Sequence, residues 1–309
     1  MNDWASRALE ALERGEPAAL VSVLAIEGSA PREAGARMLV TEEGSVGSIG
    51  GGNLEFQAIL QARKSLAQPP GDWRIQDYPL GPFLQQCCGG RVRVLIERLE
   101  PGQAGWIAAA GGPGRYHLET LLAPGRLDRR FVEASDIAPI GARGAIPEPG
   151  ERMLEVFGTP LTPLLLFGAG HVGRAIARIL DGLPFALAWH DEREGSARSE
   201  MTRLAREAQG VVLILTHDHG LDYDLTVAAL ASPARFIGLI GSATKRARFR
   251  RRLAGDGFDA AAVDRVICPI GLPGVTGKAP EVIAVAVAAQ LLQIESTAEP
   301  SAVVMGAIR

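Results

Sequence analysis

Apolar positions along the chain change period several times, and each change predicts an element. Trp4, Ala8, Leu9 and Leu12 fall at helical spacing, and Gly15 followed by Pro17 closes that segment. Residues 18–26, AALVSVLAI, are apolar enough for a buried strand, and residues 36–41 read as a second strand after the turn-rich Gly28-Ser29-Ala30-Pro31. Arg32 and Arg37 are assigned to the loop between them. The glycine-rich Gly47-Ser48-Ile49-Gly50-Gly51-Gly52-Asn53 opens LEFQAILQARKSL, where Leu54, Ala58, Gln61 and Ala62 predict an amphipathic helix. Residues 91–97, RVRVLIE, alternate as a strand should. From about 102 to 162 Gly, Pro and Arg are frequent, with residues 116–122 and 153–157 as short strands.

The second half repeats one theme. In residues 164–180, LLLFGAGHVGRAIARIL, an apolar run meets Gly168, Gly170 and Gly173 in G-x-G-x-x-G spacing and passes into a helical pattern. The first glycine permits the tight turn, the second lets backbone approach a phosphate, and the third lets helix pack on strand. Apolar runs follow at 185–189, 211–215 and 236–240, the helical segment 222–231 lies between the last two, and the pattern predicts strand–helix alternation. This predicts an α/β protein: a Rossmann-like, doubly wound parallel sheet at the C-terminal end and a separate α+β domain at the N-terminal end. Pro160 and Pro163 bracket the expected boundary. The expected domains are residues 1–105, a β-rich extension and linker over 106–160, and 161–309.

Composition narrows the function. In a chain of 309 residues the apolar share is 47% and the formal net charge is -3. That balance speaks against a general nucleic-acid binder, which needs a basic surplus to neutralise phosphates. The longest apolar stretch, between Glu281 and Gln290, is too short to span a bilayer, and the start of the chain lacks a basic-plus-apolar signal. No nucleic acid, no membrane and a cytoplasmic location are therefore expected. Three cysteines, two of them adjacent, fit a reducing compartment better than a disulfide framework.

Candidate chemistry lies in loops. Cys87 and Cys88 precede Gly89, Gly90, Arg91 and Arg93; nearby cations favour thiolate, the form that ligates metals or attacks sulfur, whereas the alternative is a pair of small buried hydrophobes. They do not make a zinc site by themselves. The Gly50-Gly51-Gly52 run permits a nest of N–H groups around an anion, or is a turn that only solves a packing problem. Asp191 lies about twenty residues beyond the glycine turn, where dinucleotide-binding folds put a ribose-binding acid. His217, Asp218 and His219 offer acid–base groups or surface polarity. Ser242, Lys245 and Arg246 open the helix-like KRARFRRR, an anion-attracting or simply solvated face. Pro280 and Glu281 suit the first turn of a last, all-round apolar helix that belongs in the core or in a dimer interface.

Several of these stretches together resemble one family, the XdhC-type xanthine dehydrogenase accessory proteins related to CoxI. The resemblance rests on Gly28-Ser29-Ala30-Pro31-Arg32 with Gly35-Ala36, on the loop from Gly47 through Glu55, on Cys87-Cys88-Gly89-Gly90, and on the segment from Leu166 to Gly173. It continues in Thr216-His217-Asp218-His219, in Ile237 through Ser242 and in Cys268-Pro269-Ile270-Gly271-Leu272-Pro273. Asn53 departs from it, since that loop often carries a cysteine there, and the thiol role falls to Cys87 or Cys88. The resemblance implies a maturation factor without turnover of its own. Such a factor binds molybdenum cofactor in its molybdopterin form, holds it while a cysteine desulfurase adds a sulfido ligand, and delivers it to apo xanthine dehydrogenase. On that view Cys87 or Cys88 contacts the molybdenum or its sulfur, and a glycine loop with Arg32 or Lys245 holds the phosphate. A homodimer is expected, and a nucleotide in the Rossmann-like crevice is left open. The rival readings are an NAD-dependent oxidoreductase, which uses the same glycines and Asp191, and a pure protein-binding scaffold.

Overall fold

The computed structural model describes residues 3–81, 89–112, 114–133 and 135–297. Its contacts divide the chain into two compact units, with the boundary between Pro160 and Leu161. Cys87 and Cys88 lie outside the described residues.

In the first unit, helix α1 (Asp3–Glu13) leads into β1 (Ala18–Glu27), β2 (Arg37–Thr41) and β3 (Ser45–Gly47), then α2 (Gly52–Ser65), β4 (Trp73–Pro79), β5 (Arg91–Arg98) and α3 (Ala104–Ala110). Strands β6 (Gly114–Ala123), β7 (Arg126–Val132) and β8 (Arg152–Thr159) complete it. The first five strands form an antiparallel sheet in the order β3-β2-β1-β5-β4, and the last three form a second sheet, β7-β6-β8. β1 is apolar except at Ser22 and Glu27 because both its faces are covered. Ala19, Val21 and Val23 pack with Leu54, Ala58 and Ala62 of α2, whereas Ala18 and Leu20 join α1, α3 and Phe157 on the other side. Arg37, assigned to a loop from the sequence, is the first residue of β2 and is buried.

Four charges are buried among these strands. Arg129 of β7 donates two hydrogen bonds to Glu97 of β5 at 2.7 and 2.8 Å and one to Glu155 of β8 at 2.8 Å. Thr120 donates to the same Glu155 at 2.6 Å, and Arg37 lies 3.6 Å from its other oxygen. Two positive and two negative groups balance, which is what lets ions leave water. Burial pulls the Arg37 guanidinium down to about 9, against the pull of Glu155.

The second unit runs β9 (Thr162–Phe167), α4 (His171–Leu180), β10 (Phe185–His190), α5 (Arg198–Glu207), β11 (Val211–Ile214), α6 (His219–Leu230), β12 (Phe236–Leu239), α7 (Ala243–Gly255), α8 (Ala260–Asp264), β13 (Val266–Ile267) and α9 (Pro280–Thr297). The strands are parallel in the order β10-β9-β11-β12-β13. Helices α4 and α9 cover one face and α5, α6 and α7 the other, so the expected doubly wound α/β architecture is present. The order reverses between β9 and β11, and the glycine turn follows β9 at that switch point, where such sheets bind ligands. α9 is not buried all round: Ala284, Val287 and Leu291 are in the core while Val285 and Leu292 are exposed.

Candidate functional site

Two sets of loops carry the candidate residues, one in each unit. In the first unit, three glycine-containing loops touch. A Cβ at Gly50 would strike the ring of Pro31, one at Gly90 would strike the carbonyl oxygens of Glu27 and Ser29, and one at Gly28 would lie 3.3 Å from Gly90 Cα. Gly90 follows Cys88 by two positions, and its carbonyl accepts from Leu80 N–H at 2.9 Å. Beside these loops is a polar cavity of about 680 Å³, lined by Trp4, Pro31, Arg32, Arg37, Gly47 and Ser48 among others. Arg32 is exposed at its rim and makes no hydrogen bond or ion pair with any described residue. The Arg37 Nε is buried there without a partner among the described residues.

The Gly50-Gly51-Gly52 run has positive φ at all three positions, the backbone the sequence pattern calls for. An anion already sits against it, and it belongs to the chain. Glu55 Oε2 accepts from Ser48 Oγ at 2.6 Å, Ile49 N–H at 3.0 Å and Gly51 N–H at 3.0 Å, while Ser48 Oγ accepts from Gly50 N–H at 3.1 Å. Burial opposes ionisation of Glu55, but these donors outweigh it and hold the carboxyl below its ordinary value. Sequence reasoning missed this residue; an acid in the first turn of a helix after a glycine run was the available signal.

In the second unit close contacts dictate the glycines of the turn after β9. Gly168 has φ +119, and a Cβ there would strike the Leu215 carbonyl at the end of β11; one at Gly173 would strike the Gly168 oxygen. Gly170 caps α4 and has open space beside it. Asp191, buried at the end of β10, is locked to this turn. Its Oδ2 accepts from Ala169 N–H at 2.5 Å and Arg193 Nη2 at 3.0 Å, and its Oδ1 from Arg193 N–H at 2.7 Å and Nε at 3.1 Å. The Arg193 guanidinium and these N–H groups outweigh burial and hold the carboxyl down to about 2. With two donors on each oxygen, its acceptor positions are occupied by the chain itself.

Ser242 caps α7, its Oγ accepting from Lys245 N–H at 3.2 Å. The Lys245 side chain turns inward: its ammonium donates to Asp222 Oδ2 and, at 2.9 Å, to the Ile240 carbonyl. Asp222 is fully buried, and its other oxygen accepts from Thr216 Oγ1 at 2.7 Å. His219 Nδ1 lies 3.9 Å from Asp222, but the ring is exposed. Asp218 caps α6 and pairs with Arg198 at 2.7 Å. Gly241 is tight as well, since a Cβ there would meet the Lys245 stem and lie 3.2 Å from Cys268 Sγ. Cys268 is buried, and burial pushes its thiol up. Among the described residues no cluster of His, Cys, Asp and Glu is arranged to hold a metal, and no helix is long and apolar enough to cross a membrane.

Comparison with known proteins settles the family. Residues 11–78 match the model of the XdhC and CoxI family, and residues 164–291 match the XdhC Rossmann domain, together more than half of the chain. The chain belongs to the XdhC and CoxI family. The resemblance drawn from the loops is thus borne out, and the family's Rossmann domain falls on the parallel sheet of the second unit. Among curated relatives, the molybdenum cofactor insertion chaperone PaoD of Escherichia coli (strain K12) is 23% identical over 278 residues, 86% of this chain and 80% of that protein. A probable xanthine dehydrogenase subunit of Bacillus subtilis (strain 168) is 25% identical, covering 91% of this chain and 94% of its own length. YqeB of Escherichia coli (strain K12) is 27% identical over 305 residues, and the chain spans 45% of that longer protein. A Bacillus halodurans crystal structure, described as a xanthine dehydrogenase, superposes with a TM-score of 0.70 at 23% identity and covers 97% of both chains. At that identity the likeness speaks for the fold.

Proposed function

We propose that this protein is a molybdenum cofactor-binding maturation factor that holds its cargo during sulfuration and inserts it into apo xanthine dehydrogenase. The observation that carries the reading is the meeting of the Gly28–Arg32, Gly47–Gly52 and Gly90 loops beside a polar cavity, with Arg32, which has no partner among the described residues, at its rim. The names of the PaoD and Bacillus subtilis relatives support it, one being an insertion chaperone and the other a probable xanthine dehydrogenase subunit.

The cavity suits a molybdopterin. It is polar and large enough for a pterin with its phosphate, and Arg32 supplies a guanidinium that has no partner among the described residues and is matched to a phosphate fork. Arg32 suits a phosphate better than Lys245 does, because the Lys245 ammonium is engaged by Asp222. In this reading Gly50, Gly51 and Gly52 shape the wall around Glu55 rather than bind cargo through a free nest. Cys87 or Cys88 contacts the molybdenum or its sulfur, a soft ligand for a soft centre. A cysteine desulfurase is the sulfur donor, and the protein works in the cytoplasm as a homodimer. NAD-dependent oxidoreduction is less well supported, because the four donors on Asp191 leave no acceptor for a ribose hydroxyl.

The test is cargo retention by protein produced alongside the cofactor pathway, read as molybdenum content and as fluorescence of the oxidised pterin. Arg32→Glu is expected to lower retention at least tenfold, and the double variant Cys87→Ala, Cys88→Ala to retain pterin but lose activation of apo xanthine dehydrogenase. Wild-type protein that captures no molybdenum pterin, or a double variant that still activates the target, overturns the reading. Binding and turnover of a reduced nicotinamide would favour the oxidoreductase instead.

A further inference from the structure

The two edges of the parallel sheet differ in how they end. β13 is only two residues long, a short edge of the kind that discourages pairing. At the other end β10 runs six residues, FALAWH, with neither proline nor an Asp, Glu, Lys or Arg, and it pairs only with β9 among the described strands. The Pro184 carbonyl accepts from Thr162 N–H and the His190 carbonyl from Gly168 N–H, both at 2.9 Å. Even-numbered positions of β10 therefore turn their main chain toward β9, and Leu187 and Trp189 turn theirs toward the open edge. Ala186 is exposed. Beside the edge lies a groove of about 700 Å³, lined by Ala177, Leu180, Phe185, Leu187 and Trp189 together with Pro280 of α9.

We propose that two copies of this chain meet here, β10 pairing antiparallel with β10 of the second copy about a two-fold axis at Leu187. The surface is self-complementary in three ways. Pairing at Leu187 satisfies main-chain groups reciprocally, as directly opposed residues in an antiparallel ladder do. It sets Phe185 opposite Trp189 of the second copy, since each stands two residues from the axis, and aromatic cross-strand pairs stabilise such ladders. It also brings the two ends of α4 together across the axis. Arg174 sits at the Trp189 end, 5.8 Å from that ring centroid, and Asp181 closes the other end of the same groove. The positive N-terminus of α4, where Arg174 also pairs with Glu194 at 2.6 Å, then faces the negative C-terminus with Asp181. An arbitrary extended peptide could use the open main chain but would not return both the rings and the charges. The two five-stranded sheets become one continuous sheet. This surface deepens the homodimer reading and is independent of the cofactor cavity.

The experiment is carried out in a Cys87→Ser, Cys88→Ser background, because Cys268 is buried. Paired as proposed, Leu187→Cys brings two Cα atoms to about 5.5 Å, inside disulfide reach, whereas two copies of Ala188→Cys stand more than about 7 Å apart. Oxidation is expected to cross-link the first and not the second. Leu187→Pro, which removes an outward N–H and no bond to β9, is expected to weaken the dimer at least tenfold in sedimentation equilibrium. Arg174→Glu and Asp181→Arg should each weaken it, and the pair together should restore it. Should Leu187→Pro fail to fold by circular dichroism, the cross-linking pair decides. A dimer that Leu187→Cys does not cross-link refutes this surface but leaves the homodimer standing; a monomeric wild type refutes both.

Discussion

Replacing Asp191 by Asn tests whether the glycine turn is held by an internal carboxylate. Asp191 is almost fully buried, and its carboxyl titrates at about 2 against an ordinary value near 4. A depressed carboxyl stabilises the fold above its unfolded value, and that stability drains away as pH falls through its folded value. A pKa difference of one corresponds to about 1.4 kcal/mol, so ionised Asp191 contributes about 2 kcal/mol at pH 7 and about half of that at pH 3. Asn would keep one acceptor but turn an N–H₂ group toward either Ala169 N–H or the Arg193 guanidinium, both donors. Urea unfolding of the wild type and of Asp191→Asn, followed by tryptophan fluorescence from pH 7 down to pH 3, should give a difference that shrinks by about 1 kcal/mol over that range. Hydrogen exchange at the Ala169 amide supplies the local reading, since its protection should fall in the variant. A stability difference that is flat with pH, or an Ala169 amide equally protected in both proteins, would refute the lock.

Lys245→Met leaves Asp222 charged, buried and unpaired, so thermal and urea unfolding should register a loss of about 3–5 kcal/mol, and adding Asp222→Asn should recover much of it. Glu55→Ala frees the N–H groups of Ile49 and Gly51 and the Ser48 hydroxyl; a loss of about 1–3 kcal/mol is expected, and an unchanged melting temperature would show that the loop does not need its internal anion. Gly173→Val should destabilise the second unit more than Gly170→Val, because only the former meets the Gly168 carbonyl, and the comparison is made by calorimetry.

Elements that a hydrophobic period defines are legible in the sequence alone. β1, β2, α2, β5, β9, α4, β10, β11 and β12 carry apolar faces that their residues display openly. β7 does not: RLDRRFV reads as polar, because beside Leu127 the residue it sends inward is Arg129, and an arginine neutralised by Glu97 and Glu155 has no signature in a hydrophobic pattern. β4 is an edge strand with half-exposed residues, and α5 buries only Met201 and Ala205, so neither has a full apolar stripe. Around the candidate site, the loops and their glycines were visible from spacing, but the partners were not. Lys245 finds Asp222 across 23 positions, and Asp191 finds Ala169 across 22. Such pairings are made by the winding of the sheet, which brings the carboxyl ends of several strands together, and no local window contains both members.

Glu55 in the glycine loop has a consequence for timing. A loop that awaited its anion would be ordered by it, and capture would carry the entropic cost of that ordering while release would let the loop relax. Here the N–H groups of Ile49 and Gly51 are satisfied before anything arrives. In the proposed role, a wall satisfied in this way needs no cargo to hold its shape, and occupancy would not be written into the conformation of that loop. A protein waiting downstream would have to sense the load through the cargo itself or through another segment, and hand-over would proceed without refolding this one.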